Sequence, residues 1–262
     1  MPPFAPHPER RPAIVTGASS GIGAATARAL AAAGHPVILA ARRVDRLREL
    51  AAKLTADGGE AMALSLDLAD PASIDAFADQ AIDALGPIDV VISNAGEVVP
   101  FRALAADPDA FAESVHVNLV GAQRLAARLG PGMVQRGHGD IVFVTSDVVV
   151  RPRTNMAAYV AAKHGLEGLA RAMQMELEGT GVRVGMIRPG PSTTEQGSTW
   201  TGEMLEELLP DWTAWGHMRH DGYLLPENIA TAILAMISVP KGTHLTLIEI
   251  EPEAPVQPER KI

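Results

Sequence analysis

Along most of the chain, short runs of consecutive apolar residues alternate with longer stretches in which apolar residues return every three or four positions. The runs at 13–16, 37–40, 61–66, 88–92, 141–145, 182–187 and 245–250 are mostly continuous, the pattern of strands covered on both faces. The intervals at roughly 21–33, 44–56, 71–85, 107–129, 157–178 and 226–237 carry helical periodicity. Strand and helix in this alternation predict one α/β domain, a doubly wound, mostly parallel seven-stranded sheet with helices on both faces, Rossmann-like in architecture. In such a sheet, ligands sit beyond the carboxyl ends of the strands, so the residues that follow each strand deserve the search for chemistry. One stretch breaks the rhythm: 192–225 holds Trp200, Trp212, Trp215 and Tyr223 and is too long for a plain connection. It reads as a substrate lid or as an aromatic patch for subunit contact.

Composition narrows the picture. With 262 residues and 47% hydrophobic content the chain can bury one large core, here assigned to 12–251, with a flexible 1–11 before it and a tail at 252–262. A formal charge of -9 argues against a nucleic-acid partner, and the absence of cysteine removes disulfides, thiolate metal sites and cysteine nucleophiles. No apolar run approaches membrane-spanning length and no signal peptide is evident, so no membrane partner and a cytoplasmic location are expected. His217 and His220 lie three apart without a convincing third ligand, so no metal is expected.

The first strand runs into Thr16-Gly17-Ala18-Ser19-Ser20-Gly21-Ile22-Gly23 and then a helix. Glycines let the backbone turn and approach a pyrophosphate closely, and the amides of a helix start attract anions. The spacing differs from the general dinucleotide fingerprint, and alone it is equally a tight strand-to-helix turn. The end of the second strand lacks the carboxylate that would hold adenosine ribose hydroxyls; Arg42 and Arg43 stand there instead. Guanidinium groups at this place suit a 2'-phosphate, which favours NADP(H) over NAD(H), although both arginines could also simply solvate a loop. After the third strand, Asp67, with Leu68 beside it, is a candidate for the adenine, and Asn94-Ala95-Gly96 after the fourth for the ribose path.

Tyr159 and Lys163 are four apart at the start of a long helix pattern, which brings phenol and ammonium within reach. A free tyrosine titrates near pH ~10, and a neighbouring positive charge lowers that value toward one useful for proton transfer. Ser146, at the end of the fifth strand, is placed to hold a substrate oxygen. Asn118 lies inside a helix among apolar neighbours, where its amide needs a partner such as a bound water.

With these residues in order, and with Pro189-Gly190 followed by Thr194, the chain resembles the short-chain dehydrogenase/reductase family in its compact single-domain form, from Pro12 to about Glu251. The resemblance implies Tyr159 as general acid or base and Lys163 tuning it while holding the nicotinamide ribose. It implies Ser146 on the substrate oxygen, Asn118 fixing a proton-relaying water, and Thr194 on the carboxamide. It also implies NADP(H) where arginine follows the second strand, with a small carbonyl or alcohol as substrate. Two departures stand out: Asp147 follows the serine where a small or apolar residue is more usual, and Ser93 replaces a common asparagine. The last strand ends Ile248-Glu249-Ile250-Glu251-Pro252, nearer the hydroxy-acid dehydrogenase branch than the acyl-carrier reductases.

The same helix carries Ala161, Gly165, Gly168 and Ala172 opposite Tyr159, Leu166, Met173 and Leu177. Small residues permit close approach of another helix, which predicts a symmetric homodimer or homotetramer, or else a close fit to the chain's own sheet. The functional expectation is an NADP(H)-dependent carbonyl reductase or alcohol dehydrogenase for an apolar substrate. The competing ones are a hydroxy-acid dehydrogenase and a non-catalytic NADP(H)-binding regulator.

Overall fold

The computed structural model describes residues 4–195, 197, 200–215, 220 and 222–256. Seven strands, β1 (Ala13–Thr16), β2 (Val37–Ala41), β3 (Ala61–Ser65), β4 (Val90–Ser93), β5 (Gly139–Val144), β6 (Val182–Pro189) and β7 (Leu247–Ile250), form one sheet in the order β3-β2-β1-β4-β5-β6-β7. All the pairings are parallel. The order reverses between β1 and β4, which opens a crevice at their carboxyl ends.

Why the strands read as continuous apolar runs is visible in the two cores. Ile14, Ile38, Val91, Ile141, Phe143 and Val184 face one layer, packed on Phe77 of α3 (Pro71–Leu85), Leu125 and Leu129 of α5 (Gly121–Arg136) and Leu166 of α6 (Ala157–Glu176). Val15, Leu39, Ile92 and Val142 face the other, on Leu30 of α1 (Gly21–Ala32), Leu47 and Leu54 of α2 (Val44–Ala56) and Ile233 of α8 (Pro226–Ser238). Successive strand residues point to opposite faces, so burying both faces demands an unbroken apolar run.

Three elements depart from the sequence expectation. The helix expected at 107–129 is α4 (Pro108–Val115), a π-turn at His116–Val120, then α5, which runs on through Pro131 to Arg136. Leu125, Leu129 and Met133 keep one buried face across the proline, so packing outweighs its missing N–H. The connection at 192–225 contains α7 (Gly202–Ala214), started by the Thr201 hydroxyl accepting from Met204 N at 3.2 Å. Within the segment expected to be loose, three residues make contacts to the body of the domain. His7 bonds the Val239 carbonyl, Arg10 pairs with Glu60 at 2.8 Å, and Arg11 is buried.

Arg11 sits at the amino ends of the strands, away from the crevice. It donates to Asp89 at 2.9 Å and to Ile237 O at 2.9 Å and pairs with Asp140, which Arg183 also holds at 2.7 Å. Breaking a buried ion pair by removing one partner leaves desolvated charge, which costs about 3 kcal/mol or more. Arg11→Met is therefore expected to lower unfolding stability by about that amount, read from chemical denaturation, without changing dinucleotide affinity of the folded protein.

Candidate active site

The carboxyl ends of β1, β4, β5 and β6 open into one cavity of ≈ 700 Å³. Of the residues singled out from the sequence, Gly17, Ser19, Ser20, Gly21, Ile22, Arg42, Arg43, Asp67, Leu68, Asn94, Ala95, Gly96, Ser146, Tyr159, Lys163, Pro189, Gly190 and Thr194 line it. Gly23 and Asn118 do not; they stand behind its wall.

Close backbone approach explains the glycines. A Cβ on Gly17, whose φ is +69°, would lie 2.9 Å from Ala95 Cα, and one on Gly23 would lie 2.3 Å from the Gly17 carbonyl oxygen. Thr16 holds the two loops together: its Oγ1 accepts from Asn94 N and Ala95 N, both at 2.9 Å, while Asn94 Nδ2 donates back to Thr16 O at 2.9 Å. The sequence reading named Thr16 only as part of the turn; the brace needs the β1–β4 neighbourhood, which no local pattern shows. The turn leaves the amino end of α1 facing the cavity. At its rim Arg43 donates to Ser19 Oγ at 2.9 Å and Ser20 Oγ at 2.7 Å, and its Nη1 takes a carboxylate oxygen of Glu195 at 2.8 Å. Arg46 reaches the same carboxylate at 2.8 Å, and these hydrogen bonds, Arg43's first, hold the Glu195 carboxyl below its usual range. An anion site exists here, filled by the chain's own carboxylate. Asp67 caps its own turn, accepting from Ala69 N at 2.9 Å.

Deeper in, Tyr159 and Lys163 lie on α6 with the Lys163 Nζ 5.5 Å from the centre of the tyrosine ring. Lys163 is only 3% exposed, its Nζ donates to Val144 O at 2.8 Å, and burial pushes its pKa down to about 8. Ser146 lies two residues beyond β5 and caps the short 3-10 turn Asp147–Val149. Asn118 lies in the π-turn; its Nδ2 donates to Glu97 O and Ser114 O, both at 2.9 Å, and its Oδ1 accepts from Glu97 N at 3.1 Å. Both amide hydrogens are thus spent on protein, and the side chain pins the loop after β4 against the end of α4. Gly96 lets that loop through: a Cβ there would lie 2.6 Å from Asn118 Oδ1 and 3.5 Å from Lys163 Nζ. Glu97 beside it has its carboxyl pushed up by burial.

The outer wall is apolar. Val98, Val148, Met156 and Tyr159 form a small buried cluster with Trp200 and Trp212 packed on it. Trp200 donates to Val98 O at 3.2 Å and Trp212 to Thr154 O at 3.1 Å, so α7 is fastened over the tyrosine, while Trp215 stays 72% exposed. Charged pairs complete the wall: Asp147 with Arg153, largely buried, and Arg151 with Glu251 at 2.9 Å, partly exposed. Among the described residues no group of acidic and histidine side chains is placed to hold a metal; His217 lies outside them. No described helix is long and apolar enough to cross a membrane.

The short chain dehydrogenase family model matches residues 11–204. A glycine betaine reductase of Emericella nidulans is 34% identical over 92% of this chain, although the chain spans only 18% of that protein's length. A 1-deoxy-11-beta-hydroxypentalenate dehydrogenase of Streptomyces exfoliatus is 37% identical over 70% of this chain and 68% of its own. Among solved structures, an alcohol dehydrogenase from Thermococcus sibiricus complexed with 5-hydroxy-NADP superposes with a TM-score of 0.79 at 32% identity, covering 92% of this chain and 96% of that one. An actinorhodin polyketide ketoreductase variant with NADPH superposes with a TM-score of 0.80 at 28% identity, covering 93% and 97%. Sequence motifs, sheet order and cavity agree with these matches, and the chain belongs to the short chain dehydrogenase family.

Proposed function

We propose that the protein is an NADP(H)-dependent oxidoreductase that moves hydride between the nicotinamide and a carbonyl or alcohol carbon. The observation that carries this reading is the Tyr159–Lys163 pair, with Ser146, in the same cavity as the glycine turn and the Arg43 anion site. The cradle fits a dinucleotide. Gly17, Gly21 and the start of α1 suit a pyrophosphate, and Arg43 with the Ser19 and Ser20 hydroxyls suits a 2'-phosphate, to which Arg42 on the same rim adds charge. The likeness to solved structures with 5-hydroxy-NADP and NADPH supports the same choice of cofactor. Asp67 and Leu68 border the adenine end, Asn94, Ala95 and Gly96 the ribose path, and Pro189, Gly190 and Thr194 the nicotinamide end.

When bound, the nicotinamide supplies or accepts the hydride. The chain's own work is proton transfer and orientation. In reduction Tyr159 Oη gives its proton to the substrate oxygen, and in oxidation it takes the alcohol's proton. Lys163 spends one of its three donors on Val144 O and keeps the others for the ribose hydroxyls. Its charge makes phenolate formation at Tyr159 less costly. Ser146 holds the substrate oxygen beside the phenol. Trp200, Trp212 and α7 act as a lid that keeps water from the reacting atoms and offers an apolar body of substrate its contacts. General acid–base help of this kind is worth about 10² to 10⁴ in rate, roughly 3 to 5 kcal/mol.

The same proposal includes a homodimer or homotetramer. On α6, Ala161, Gly168 and Ala172 are exposed, Gly165 is half-buried, and a Cβ on Gly168 would meet nothing within 4 Å. At Gly165 the face fits the chain itself, since a Cβ there would lie 2.7 Å from Leu119, whereas Ala161, Gly168 and Ala172 are left for a partner helix. Light scattering at micromolar concentration is expected to give a multiple of the 27.6 kDa chain mass; an active monomer would contradict it.

Tyr159→Phe is expected to cut turnover of ketones with NADPH by about 10² to 10⁴ while NADPH still binds, as read from nucleotide fluorescence. Undiminished turnover would refute the mechanism, and no turnover by wild type across ketones, aldehydes and quinones would favour the regulatory alternative. Lys163 gives a prediction with a definite sign. Its folded pKa of about 8 lies below the 10.5 of a lysine in water, so its stabilising share is full above 10.5 and lost as pH falls through 8. At neutral pH the charged side chain therefore costs about 3 kcal/mol. Lys163→Met is expected to be inactive yet more stable at pH 7, and that advantage should shrink toward pH 10; an advantage independent of pH in chemical denaturation would contradict the assignment.

A further inference from the structure

We propose that Asp147 is a specificity-determining residue, an internal counter-ion that occupies Arg153 and makes the substrate half of the cavity refuse a carboxylate next to the reacting oxygen. The inference rests on the carbonyl–alcohol reading above and deepens it to a substrate class: ketones and alcohols that are uncharged at that position.

Arg153 lines the cavity, and its side chain is 12% exposed. Its Nη1 donates to Asp147 Oδ1 at 3.1 Å and its Nη2 to Asp147 Oδ2, so the planar fork is filled on both prongs. The guanidinium carbon lies 5.9 Å from the Trp212 ring centre, which fixes the group between lid and floor. A guanidinium held this way on an apolar wall is the usual receptor for a substrate carboxylate. Here the chain supplies the carboxylate itself. Asp147 cannot easily yield the place. Its side chain is 4% exposed, and its carbonyl accepts from Val150 N and Arg151 N, both at 2.9 Å. An incoming carboxylate would have to strand it, buried and without its partner.

The location makes the refusal specific. Ser146 Oγ donates to Asp147 Oδ1 at 3.2 Å, so the paired guanidinium is one side chain away from the hydroxyl that holds the reacting oxygen. The position Arg153 would serve is therefore the substituent adjacent to the reacting carbon. The neighbouring cation, Arg151, is likewise engaged, by Glu251 at 2.9 Å. The departure at Asp147 thus bears on the hydroxy-acid alternative: the wall holds arginines suited to an acid, and each has a carboxylate of the chain on it.

The test uses the NADP⁺-saturated protein and two probes of one shape, phenylacetate and phenylacetamide, titrated by calorimetry. Wild type is expected to bind the amide at least as well as the acid. Asp147→Ser is expected to bind phenylacetate about tenfold more tightly than wild type with the amide unchanged, and Asp147→Ser with Arg153→Gln to lose that gain. With NADPH, the KM ratio of benzoylformate to its methyl ester is expected to fall by about the same factor in Asp147→Ser. A wild type that takes benzoylformate as readily as the ester would overturn the proposal. So would a folded Asp147→Ser that binds NADPH normally and gains nothing for the acid. Should Asp147→Ser not fold, Asp147→Asn decides by the same comparison, because it removes the charge while keeping the volume and one acceptor for Arg153. If wild type consumes neither benzoylformate nor its ester, the calorimetric comparison still judges Asp147, while the panel of ketones, aldehydes and quinones judges the carbonyl reading.

Discussion

The structure turns on one unfavourable placement, an ammonium buried with a single backbone carbonyl as its protein acceptor. Lys163 is sealed between β5 and the loop after β4, with Val144 O on its Nζ. Taking an ammonium out of water is costly, and a protein tolerates it where the charge is needed. The surroundings are arranged to hold it there. Gly96 leaves room for the loop to pass close to Nζ, and Asn118 pins that loop from behind with its amide. The π-turn at His116–Val120 places Asn118 where α4 and α5 meet α6. The wider 16-atom ring of a π-turn shifts the residues that follow around the helix axis, and such turns are frequent at functional sites. Instability at Lys163 is thus distributed into the geometry of three elements, and Tyr159 receives the benefit.

Rigidity at that point needs support from the rest of the fold. The two apolar layers clamp the sheet on both faces, and each fully buried leucine, isoleucine or phenylalanine in them contributes roughly 1.5–3 kcal/mol. At the amino ends of the strands the charge cluster of Arg11, Asp89, Asp140 and Arg183 fixes β4, β5 and β6 relative to one another. A second buried cluster works close to the site. Glu167 on α6 takes both prongs of Arg188 from β6, at 2.9 Å and 2.7 Å, and accepts from Thr145 Oγ1 at 3.0 Å, one residue before Ser146. The helix that carries Tyr159 and Lys163 is thereby locked to the strand that carries the serine. Catalytic geometry needs tolerances of about half an ångström, which loops alone rarely provide.

How much of this was legible follows from what each feature depends on. Sheet class and most elements showed in the sequence because burial on both faces leaves a local trace, an unbroken apolar run. Tyr159 with Lys163, and the glycines of the turn, showed because short spacings within one helix or turn set their relations, and Ser146 because it follows a strand. Features that depend on partners distant in sequence did not show. Arg11 read as part of a loose start because Asp89 and Asp140 are remote; Thr16 read as turn because Asn94 was not known to be its neighbour. The helical pattern was placed at 107–129, and the buried face through Met133 carries α5 on past Pro131. The helix α7 had a visible signal, Thr201 followed by Leu205, Leu208 and Trp212 at helical spacing, but the aromatic content drew the reading toward a lid without a structure. Asp147 was visible as a departure; its meaning required the position of Arg153.

The cavity holds the same chemical pair twice, arginine with carboxylate, and burial gives the two pairs opposite consequences. At the cofactor rim, Arg43, Arg46 and Glu195 are 47%, 50% and 45% exposed. Exposed pairs are worth about 1 kcal/mol or less, so under the proposed cofactor reading a phosphate bearing more charge and more acceptors would displace the carboxylate at little cost. At the substrate wall, Arg153 and Asp147 are 12% and 4% exposed, and separating them strands a desolvated ion. The first pair is loosely held and open to exchange. The second is a fixed part of the wall, because its carboxylate is almost wholly shielded from solvent. Selectivity at the two ends of one cavity therefore follows from solvent access to the carboxylate and not from the identity of the arginine.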